Sequence, residues 1–428
     1  QMKIKKILKK FLGLHPKSID LSLYRIQRLL KSLNNPEKKL QNCIQVVGTN
    51  GKFSICSTLR EIYETAGYKV NMHISPSVRK FNERYYFSGE QINDDRLYKL
   101  LSEVEKVNKG QLITFHEIVT AAFFLEAART KAHLNIVEAG LFFRLDASNV
   151  LNKNIASIIS PIGMDHKDFL KEGTIDEIIF EKCSKLLNGS KIIVSEQTSL
   201  EILNKINKTI QSNTSKKIIS GKDFKYEKTL NGFNFIDNSG SLSLPKPNLS
   251  GDYQYGNIST AIATVKELDQ FKVNQSHIIT ALSKIKAEGR LQKISNGKLR
   301  NYISNNNEVI LDGGHNTLAA SVLTKYLDTL DKNKKIYMIL GMMANKDHAE
   351  FISQFKNKLS LIIAVDIPNQ ENFIKKEKLN QIIKTIGIKS KTESSIQSSL
   401  QFIAKEDENA IIFICGSLYL CGEVLNLN

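Results

Sequence analysis

The stretch that decides the fold of the first half is Ile44–Ser54, IQVVGTNGKFS, in which an apolar strand runs into a glycine-framed turn that ends in a lysine. Gly48 and Gly51 let the backbone turn tightly with its N–H groups pointing inward. Lys52 can reach terminal phosphates, and the Ser54 hydroxyl at the start of the next helix can hold Mg²⁺. The stretch therefore predicts a nucleoside triphosphate site whose phosphates are held by Gly48, Thr49, Asn50, Gly51 and Lys52.

Length and composition indicate a globular chain of more than one domain. Its 428 residues exceed one ordinary core, and no apolar run approaches the ~18 residues that a membrane helix needs. The cysteines show neither metal-binding nor CxxC spacing, as expected in a reducing compartment. The basic start, MKIKKILKKFLGL, predicts an amphipathic helix rather than a secretion signal. We expect a cytoplasmic protein with no membrane partner.

The formal net charge of +17 would suit nucleic acid or a polyanionic small ligand. The lysines are scattered, however, and no basic run is interleaved with aromatic residues as in nucleic-acid-binding segments. A general bias toward Lys, Asn and Ile is the simpler explanation of the charge. We therefore expect no nucleic-acid partner.

Short β-branched runs alternate with longer amphipathic segments, which predicts an α/β fold with a mostly parallel sheet. The strands expected in the first half are Ile44–Val47, Lys69–His73, Leu134–Glu138, Ala156–Ser160 and Lys191–Ser195. The helices expected between them are Ser54–Ala66, Asp94–Val107, Thr114–Thr130 and Thr174–Leu187. The stretch Phe224–Leu244 alternates apolar and polar residues and predicts an antiparallel hairpin excursion.

The alternation restarts after Arg290, with a strand set of its own. These strands are Val309–Leu311, Ile336–Leu340, Leu361–Val365 and Ala410–Ile414. The restart predicts a domain boundary near residue 295, and hence two domains, 1–294 and 295–428.

Polar residues that could carry chemistry follow the expected strands. Glu138 ends a buried strand, where ligand-facing groups gather in α/β sheets, and is a candidate Mg²⁺ ligand. The alternative is a structural ion pair between Glu138 and Arg144. Asp165 and His166 end the next strand, where an acid beside a histidine favours a ligand or general base. Lys182 lies on a predicted helix, where a solvated lysine is the ordinary interpretation.

Two further strand ends occur in the second half. The segment VILDGGHN places Asp312 and His315 after a strand, and its two glycines permit close approach of the backbone to a ligand. The segment IFICGSLYLCGEVL places Ser417 after the last strand, either in a ligand loop or as a helix N-cap.

Taken together, these segments resemble the folylpolyglutamate synthase/dihydrofolate synthase family, a branch of the Mur-type ATP-dependent amide ligases. The similar motifs cover nearly the whole chain. They are FLGLHPKSIDLSLYRIQRLL at 11–30, VVGTNGK at 46–52, SPS at 75–77, FNER at 81–84, TFHE at 114–117, RLDASNV at 144–150, DH at 165–166, EK at 181–182, YQYGN at 253–257, GRLQ at 289–292, LDGGHN at 311–316, GMMANKD at 341–347 and GSLYLCGEVL at 416–425.

The resemblance implies a Mur-ligase-like fold, with an N-terminal P-loop ATPase domain around a mostly parallel sheet and a smaller, Rossmann-like C-terminal domain. It implies a monomeric ligase of folate biosynthesis that uses ATP and Mg²⁺. The implied reaction adds L-glutamate to dihydropteroate, to the γ-carboxylate of (tetrahydro)folate, or to both, through an acyl phosphate. A Mur-type ligase that acts on a cell-wall precursor is an alternative, which the FNER and GMMANKD segments disfavour.

The resemblance also implies roles for single residues. The matched metal positions are Ser54, Glu138, His166 and Lys182, the last being a lysine that is carbamylated in this family and so becomes an anionic ligand. Besides the phosphate turn and Ser54, the matched nucleotide contacts are Asn257, Arg290 and Asp312. The expected substrate contacts are Arg84 on the pterin side and His315 and Ser417. The expected catalytic residues are Lys52, Lys182, His166, Asp312 and His315.

Four positions depart from the family pattern. Phe53 stands where GTNGKGS has its third glycine, and Phe142 and Phe143 replace both glycines of LGGRLDATN. Ser77 replaces the histidine of SPH. A phenylalanine at positive φ costs on the order of 1–3 kcal/mol. Two interpretations remain open at this point: an active ligase whose rings point away from the site, or a weakened nucleotide- or folate-binding relative.

Overall fold

The computed structural model describes residues 1–428, and its contacts divide the chain into two compact units. The N-terminal unit comprises Gln1–Ile162, Thr174–Asn248 and Gln254–Lys286. The C-terminal unit comprises Gly163–Gly173, Leu249–Tyr253 and Ala287–Asn428. None of the helices has both the length and the apolar character that crossing a bilayer requires.

An eight-stranded sheet forms the centre of the N-terminal unit, with the strand order β4-β3-β2-β5-β1-β6-β7-β8. The strands are β1 Cys43–Val47, β2 Val70–His73, β3 Tyr85–Phe87, β4 Glu90–Gln91, β5 Leu134–Glu138, β6 Ala156–Ile159, β7 Lys191–Val194 and β8 Lys216–Ile219. All neighbours pair in parallel except those that involve β3 and β4. Strands β1, β2, β5 and β6 are buried throughout, as expected of a parallel sheet covered on both faces.

Nine helices accompany this sheet. They are α1 Met2–Leu12, α2 Tyr24–Ser32, α3 Lys52–Thr65, α4 Asp94–Asn108, α5 Phe115–Arg129, α6 Ile175–Cys183, α7 Leu200–Thr209, α8 Tyr253–Glu267 and α9 Gln275–Leu282. Helix α1 confirms the predicted amphipathic start, since Ile4, Ile7 and Phe11 are buried while its lysines face outward. Helix α5 begins with a capping box in which Thr114 and Glu117 bond each other's backbone N–H groups.

The predicted hairpin excursion is a three-stranded antiparallel sheet, with the order β11-β10-β9. Its strands are β9 Phe224–Thr229, β10 Gly232–Asp237 and β11 Gly240–Pro245. Phe233 and Phe235 alternate along β10 and are almost fully buried. This alternation with period two places one face of the small sheet in a core.

The C-terminal unit has a six-stranded sheet of its own, with the order β12-β13-β17-β14-β15-β16. Its strands are β12 Gln292–Lys293, β13 Glu308–Asp312, β14 Ile336–Leu340, β15 Leu361–Ala364, β16 Ser390–Thr392 and β17 Ile411–Cys415. Its helices are α10 Thr317–Leu327, α11 His348–Ser353, α12 Lys376–Ile386, α13 Ile396–Glu406 and α14 Leu418–Leu427. Pairing is parallel apart from the short β12–β13 pair.

Strand order fixes where a ligand can bind in the N-terminal unit. Strand β1 lies between β5 and β6; the chain after β1 continues to β2 on the β5 side, whereas β6, β7 and β8 extend the sheet on the other side of β1. A crevice opens at such a switch point beyond the carboxyl ends of the strands. The turn after β1 and the residue that ends β5 therefore lie where an α/β sheet binds its ligands.

Candidate active site

The turn between β1 and α3 depends on two glycines. Gly48 has φ 140° and Gly51 has φ 81°. A Cβ atom on Gly48 would lie 1.8 Å from Ser160 Oγ, and one on Gly51 would lie 2.5 Å from Asn257 Oδ1. The N–H groups of residues 49 and 50 donate to the Pro161 carbonyl at 3.0 and 3.2 Å. The turn is thus fixed between the end of β6 and helix α8, which puts the predicted nucleotide contact Asn257 directly behind it.

Two lysine ammonium groups converge on one carbonyl oxygen of this turn. Lys52 Nζ donates to the Gly48 carbonyl at 3.0 Å, and Lys182 Nζ donates to the same oxygen at 2.7 Å. Lys182 is only 3% exposed, so the interpretation of a solvated lysine is wrong. Two cations beside a glycine turn form a site for polyanions such as phosphates.

Glu138 ends β5 and is buried, at 3% exposure. One of its carboxylate oxygens accepts the N–H of Ser75 at 2.9 Å. Arg144, considered above as its structural partner, instead forms an ion pair with Glu181 at 2.9 Å. The structure therefore brings the SPS segment to Glu138, a connection that the sequence motifs alone did not reveal.

The donor set near the turn suits a magnesium ion that arrives with a nucleotide. Ser54 and Glu138 are buried oxygen donors, the type that Mg²⁺ prefers. The Ser160 hydroxyl is buried beside Gly48 without a hydrogen-bond partner. No group of three or more His, Cys, Asp or Glu side chains could hold a metal ion by itself. Mg²⁺ at nucleotide sites is commonly held by one or two carboxylates together with substrate phosphates.

Asp146 organises the segment that follows β5. Its carboxylate accepts the N–H groups of Gly140, Leu141 and Ser148 at 2.9–3.2 Å and lies 3.0 Å from His116 Nε2. Burial raises the pKa of Asp146, but the charge and hydrogen bond of His116 outweigh burial and hold that pKa below its usual range. Both residues belong to motifs quoted above, TFHE and RLDASNV, yet no role had been predicted for either.

The three unexpected phenylalanines differ in backbone conformation. Phe53 lies in the first turn of α3, where helical φ accommodates any side chain. Phe142 has φ 56°, in the left-handed region, and is 2% exposed. Its ring centroid lies 5.5 Å from Lys182 Nζ, close enough for a cation–π interaction. Phe143 is fully buried and has no positive φ. Backbone strain is therefore confined to Phe142.

The FNER segment is a short 3₁₀ helix, Phe81–Arg84. The Arg84 guanidinium lies over the rings of Phe81 and Phe115, at 5.2 and 5.8 Å from their centroids. The Arg84 carbonyl faces His73 Nδ1 at 3.2 Å. His73 is fully buried, and burial lowers its pKa to about 3. The segment thus presents an arginine on an aromatic platform.

In the C-terminal unit, the turn after β13 is built around Asp312. This carboxylate accepts the N–H of Gly314 at 2.7 Å and that of Leu291 at 3.0 Å. Burial raises the pKa of Asp312, while the positive charge of Arg290 opposes the rise. A Cβ atom on Gly313 would lie 2.3 Å from a Leu418 methyl group. Gly313 therefore lets Leu418, the first residue of helix α14, pack directly against the turn, where a side chain would not fit.

His315 and His166 both adjoin the Asp165 carboxylate within this unit. His315 Nε2 lies 3.5 Å from Asp165 Oδ2, and His166 Nε2 lies 3.8 Å from the same oxygen. Burial opposes ionisation of Asp165, but the hydrogen bond of His315 and the nearby positive charges hold its pKa well below its usual range. Ser417 is the N-cap of α14 and accepts the N–H of Tyr419 at 3.1 Å. Its ligand role stays a prediction.

The two α/β units match the two-domain, Mur-ligase-like fold of a solved FolC structure with bound ADP, and the glycine turn, two lysines and buried carboxylate of the first unit suit the nucleotide of an ATP-dependent ligase. A family model described as "Dihydrofolate synthetase, C-terminal domain" matches residues 295–427. The dihydrofolate synthase/folylpolyglutamate synthase of Buchnera aphidicola subsp. Acyrthosiphon pisum is 30% identical over 89% of this chain and 88% of that protein. The chain therefore belongs to the dihydrofolate synthase/folylpolyglutamate synthase family.

Other relatives agree along nearly the full length. The dihydrofolate synthetase of Saccharomyces cerevisiae is 26% identical over 96% of this chain and 98% of its own. A solved structure described as E. coli FolC in complex with DHPP and ADP has a TM-score of 0.87 at 25% identity, covering 99% of this chain and 97% of that one. The folate-ligase prediction is confirmed at the level of the family, and the cell-wall alternative is not favoured.

Proposed function

We propose that this chain joins L-glutamate to dihydropteroate, to the γ-carboxylate of a reduced folate, or to both, at the expense of ATP. The observation that carries the proposal is the convergence of Lys52 and Lys182 on the Gly48 carbonyl, next to the buried Glu138. The Lys52 ammonium and the Glu138 carboxylate at a switch point suit a triphosphate with its metal ion, and Lys182 lies at the same turn either as a second cation or, once carbamylated, as an anionic metal ligand. Named relatives of the same length support the acceptor class.

The reaction needs an activated acceptor, because a carboxylate at neutral pH has no good leaving group. Transfer of the γ-phosphoryl group of ATP gives an acyl phosphate. Lys52 and Arg290 then offset the charge that develops on the transferring oxygens. The amine of glutamate attacks the acyl carbon, and the tetrahedral intermediate expels phosphate. Water would hydrolyse the acyl phosphate, so its exclusion favours amide formation.

The chain's other residues take binding roles in this proposal. Ser54, Glu138 and His166 would hold the metal ion, which would supply positive charge to the phosphates. Carbamylation of Lys182 would exchange its ammonium for an anionic oxygen ligand. Asn257, Arg290 and Asp312 contact the nucleotide, His315 and Ser417 the incoming glutamate, and Arg84 the pterin side.

Phosphate release by the purified protein tests the proposal, with ATP, Mg²⁺, glutamate and either dihydropteroate or a reduced folate. We expect release that depends on both glutamate and acceptor. Lys52→Ala should lower turnover about 10²–10³-fold, the usual loss on removing one charge-stabilising contact. The control is Lys185→Ala, an exposed lysine on the segment that follows α6, which should keep normal rates. Near-normal turnover of Lys52→Ala would show that the turn is misassigned.

Assaying the two acceptors separately decides between one activity and both. Nucleotide binding without any turnover would instead favour the weakened relative. The proposal includes a monomeric, cytoplasmic enzyme, supported by the family resemblance and by five buried cysteines that remain thiols. Size-exclusion chromatography with light scattering tests the monomer, since a dimer would double the measured mass.

A further inference from the structure

Within the C-terminal unit, the carboxylate of Asp165 is contacted by three side chains from two other segments. Its side chain is 10% exposed. Lys346 Nζ donates to Oδ1 at 3.2 Å, and Asn316 Nδ2 donates to Oδ2 at 2.9 Å. His315 Nε2 lies 3.5 Å from Oδ2. The segment Gly163–Gly173 is thereby tied to the turn after β13 and to the loop after β14.

Charge balance explains why a carboxylate is tolerated there. The Lys346 side chain is also 10% exposed, so the two opposite charges neutralise each other away from solvent. With its charge balanced by Lys346, the Asp165 carboxylate can hold the side chains of Asn316 and His315 in fixed positions. This largely shielded ion pair connects the segment Gly163–Gly173 with the loop after β14.

The geometry at His315 is the part that matters for chemistry. Its Nδ1 lies 3.1 Å from the Gly313 carbonyl, while its Nε2 faces Asp165. Both ring nitrogens therefore face oxygen acceptors, which fixes the rotation of the imidazole. The next residue, Asn316, is held as well: its Oδ1 caps α10 by accepting the Ala319 N–H at 2.8 Å, and its Nδ2 donates to Asp165.

We propose that Asp165 is a positioning residue for the amino-acid side of the ligase: it orients His315, and Lys346 neutralises it while it does so. The inference rests on the proposed function, which assigns His315 to the incoming glutamate. Asp165 itself does not touch the reacting atoms. Removing the Asp165 carboxylate should thus raise the KM for glutamate more than the KM for ATP.

Kinetics of two variants test this role. Asp165→Asn keeps the side-chain shape but replaces one of the two acceptor oxygens with an N–H₂ group and removes the negative charge. We expect it to raise the KM for glutamate about 10–100-fold, the loss associated with a hydrogen bond to a charged group, with the KM values for ATP and acceptor changed less than about threefold. Asp168→Asn, an exposed carboxylate on the same segment, is the matched control and should leave all three unchanged.

A double-mutant cycle separates positioning from a general structural role. If Asp165 acts through His315, then His315→Gln and the double variant Asp165→Asn/His315→Gln should have the same KM for glutamate. The second substitution should then raise this KM no further. The proposal would be overturned if the fold-increases in glutamate KM of the two single variants multiplied in the double variant, or if Asp165→Asn had a normal KM for glutamate. Should Asp165→Asn fail to fold, Asp165→Glu keeps the charge beside Lys346 and displaces the carboxylate by one methylene.

A second readout does not depend on activity. In ¹⁵N NMR spectra of labelled histidines, the Nε2–H of His315, which faces Asp165, should be protected from exchange in the unsubstituted protein and exposed in Asp165→Asn. His348, whose Nε2 contacts the Met343 carbonyl at 2.8 Å, is the internal control and should not change. Fast hydrogen exchange of this His315 N–H in both proteins would contradict the inference. Protection without glutamate-dependent turnover would leave the orientation intact and refute the proposed function instead.

Discussion

At the residue scale, two opposing contributions to stability meet at Phe142: strain in its backbone and burial of its ring. Its φ of 56° favours glycine, and relief of that strain is worth about 1 kcal/mol. Its ring is 2% exposed, and removing a buried phenyl group costs about 3–5 kcal/mol. Burial is the larger effect. The ring thus remains in the left-handed region because its packing outweighs the strain.

Phe142→Gly should therefore destabilise the protein, by about 2–4 kcal/mol in urea unfolding. The matched variant is Phe143→Gly, because Phe143 is fully buried but has no positive φ. With no strain to relieve, this control should lose about 1–2 kcal/mol more than Phe142→Gly. An equal or smaller loss for Phe143→Gly would show that the strain at Phe142 contributes nothing.

His73 couples stability to pH. Its pKa is about 3 in the folded protein, against about 6.5 for a free imidazole, because burial disfavours the charged form. Above pH 6.5 both states are neutral, and nothing is gained or lost. Below it the unfolded chain binds a proton that the folded one excludes, so stability falls by roughly 1.4 kcal/mol per pH unit.

Replacing His73 by glutamine should flatten this contribution between pH 6 and pH 4. The measurement is the free energy of unfolding at several pH values, compared as slopes rather than as absolute stabilities. His133→Gln, at an exposed histidine, should keep the slope of the unsubstituted protein. An unchanged slope for His73→Gln would mean that the buried imidazole does not drive the acid sensitivity.

At the element scale, the turn from β1 to α3 combines strain with contact. Gly48→Ala would meet both the φ of 140° and the backbone and side chain of Ser160. Gly67→Ala, just after α3, meets only its own φ of 95°, because nothing lies within 4 Å of the added methyl group. We expect a loss of about 1 kcal/mol at Gly67 and about 2–4 kcal/mol at Gly48.

The Gly48→Ala variant should also bind ATP at least about tenfold more weakly, since the turn must shift to admit the methyl group. Urea unfolding and nucleotide titration by calorimetry give the two quantities. Gly67→Ala should bind ATP normally, as its site lies at the far end of α3. Equal stabilities of the two variants would contradict the close packing seen between Gly48 and Ser160.

The elements that the sequence predicted well are those with a strong local signal. Leu134–Glu138 and Ile336–Leu340 match observed strands residue for residue. Helix α6 ends at Cys183 rather than at Leu187, because local periodicity does not show where tertiary packing stops a helix. Strands such as Lys216–Ile219 and Ser390–Thr392 were missed, since their exposed or half-exposed residues lack the apolar pattern.

At the scale of the whole molecule, sequence patterns indicated two α/β halves but not the path of the chain between the units. The sequence placed a boundary near residue 295, which stays a prediction. The contacts assign Gly163–Gly173 and Leu249–Tyr253, far upstream, to the C-terminal unit. Partners distant in sequence decide such an assignment. For the same reason the pairs Ser75–Glu138 and Asp146–His116 could not be inferred from spacing.

The interrupted path of the C-terminal unit has a consequence for inheritance. Asp165 is encoded within the first half of the chain, whereas its counter-ion Lys346 is encoded in the second. A crossover between two related genes near residue 287 would join an Asp165 of one lineage to a loop selected in another. Such a chimaera keeps the buried charge balanced only when the new loop also supplies a cation. The segment Gly163–Gly173 and the chain from Ala287 onward are therefore expected to be inherited together rather than as exchangeable modules.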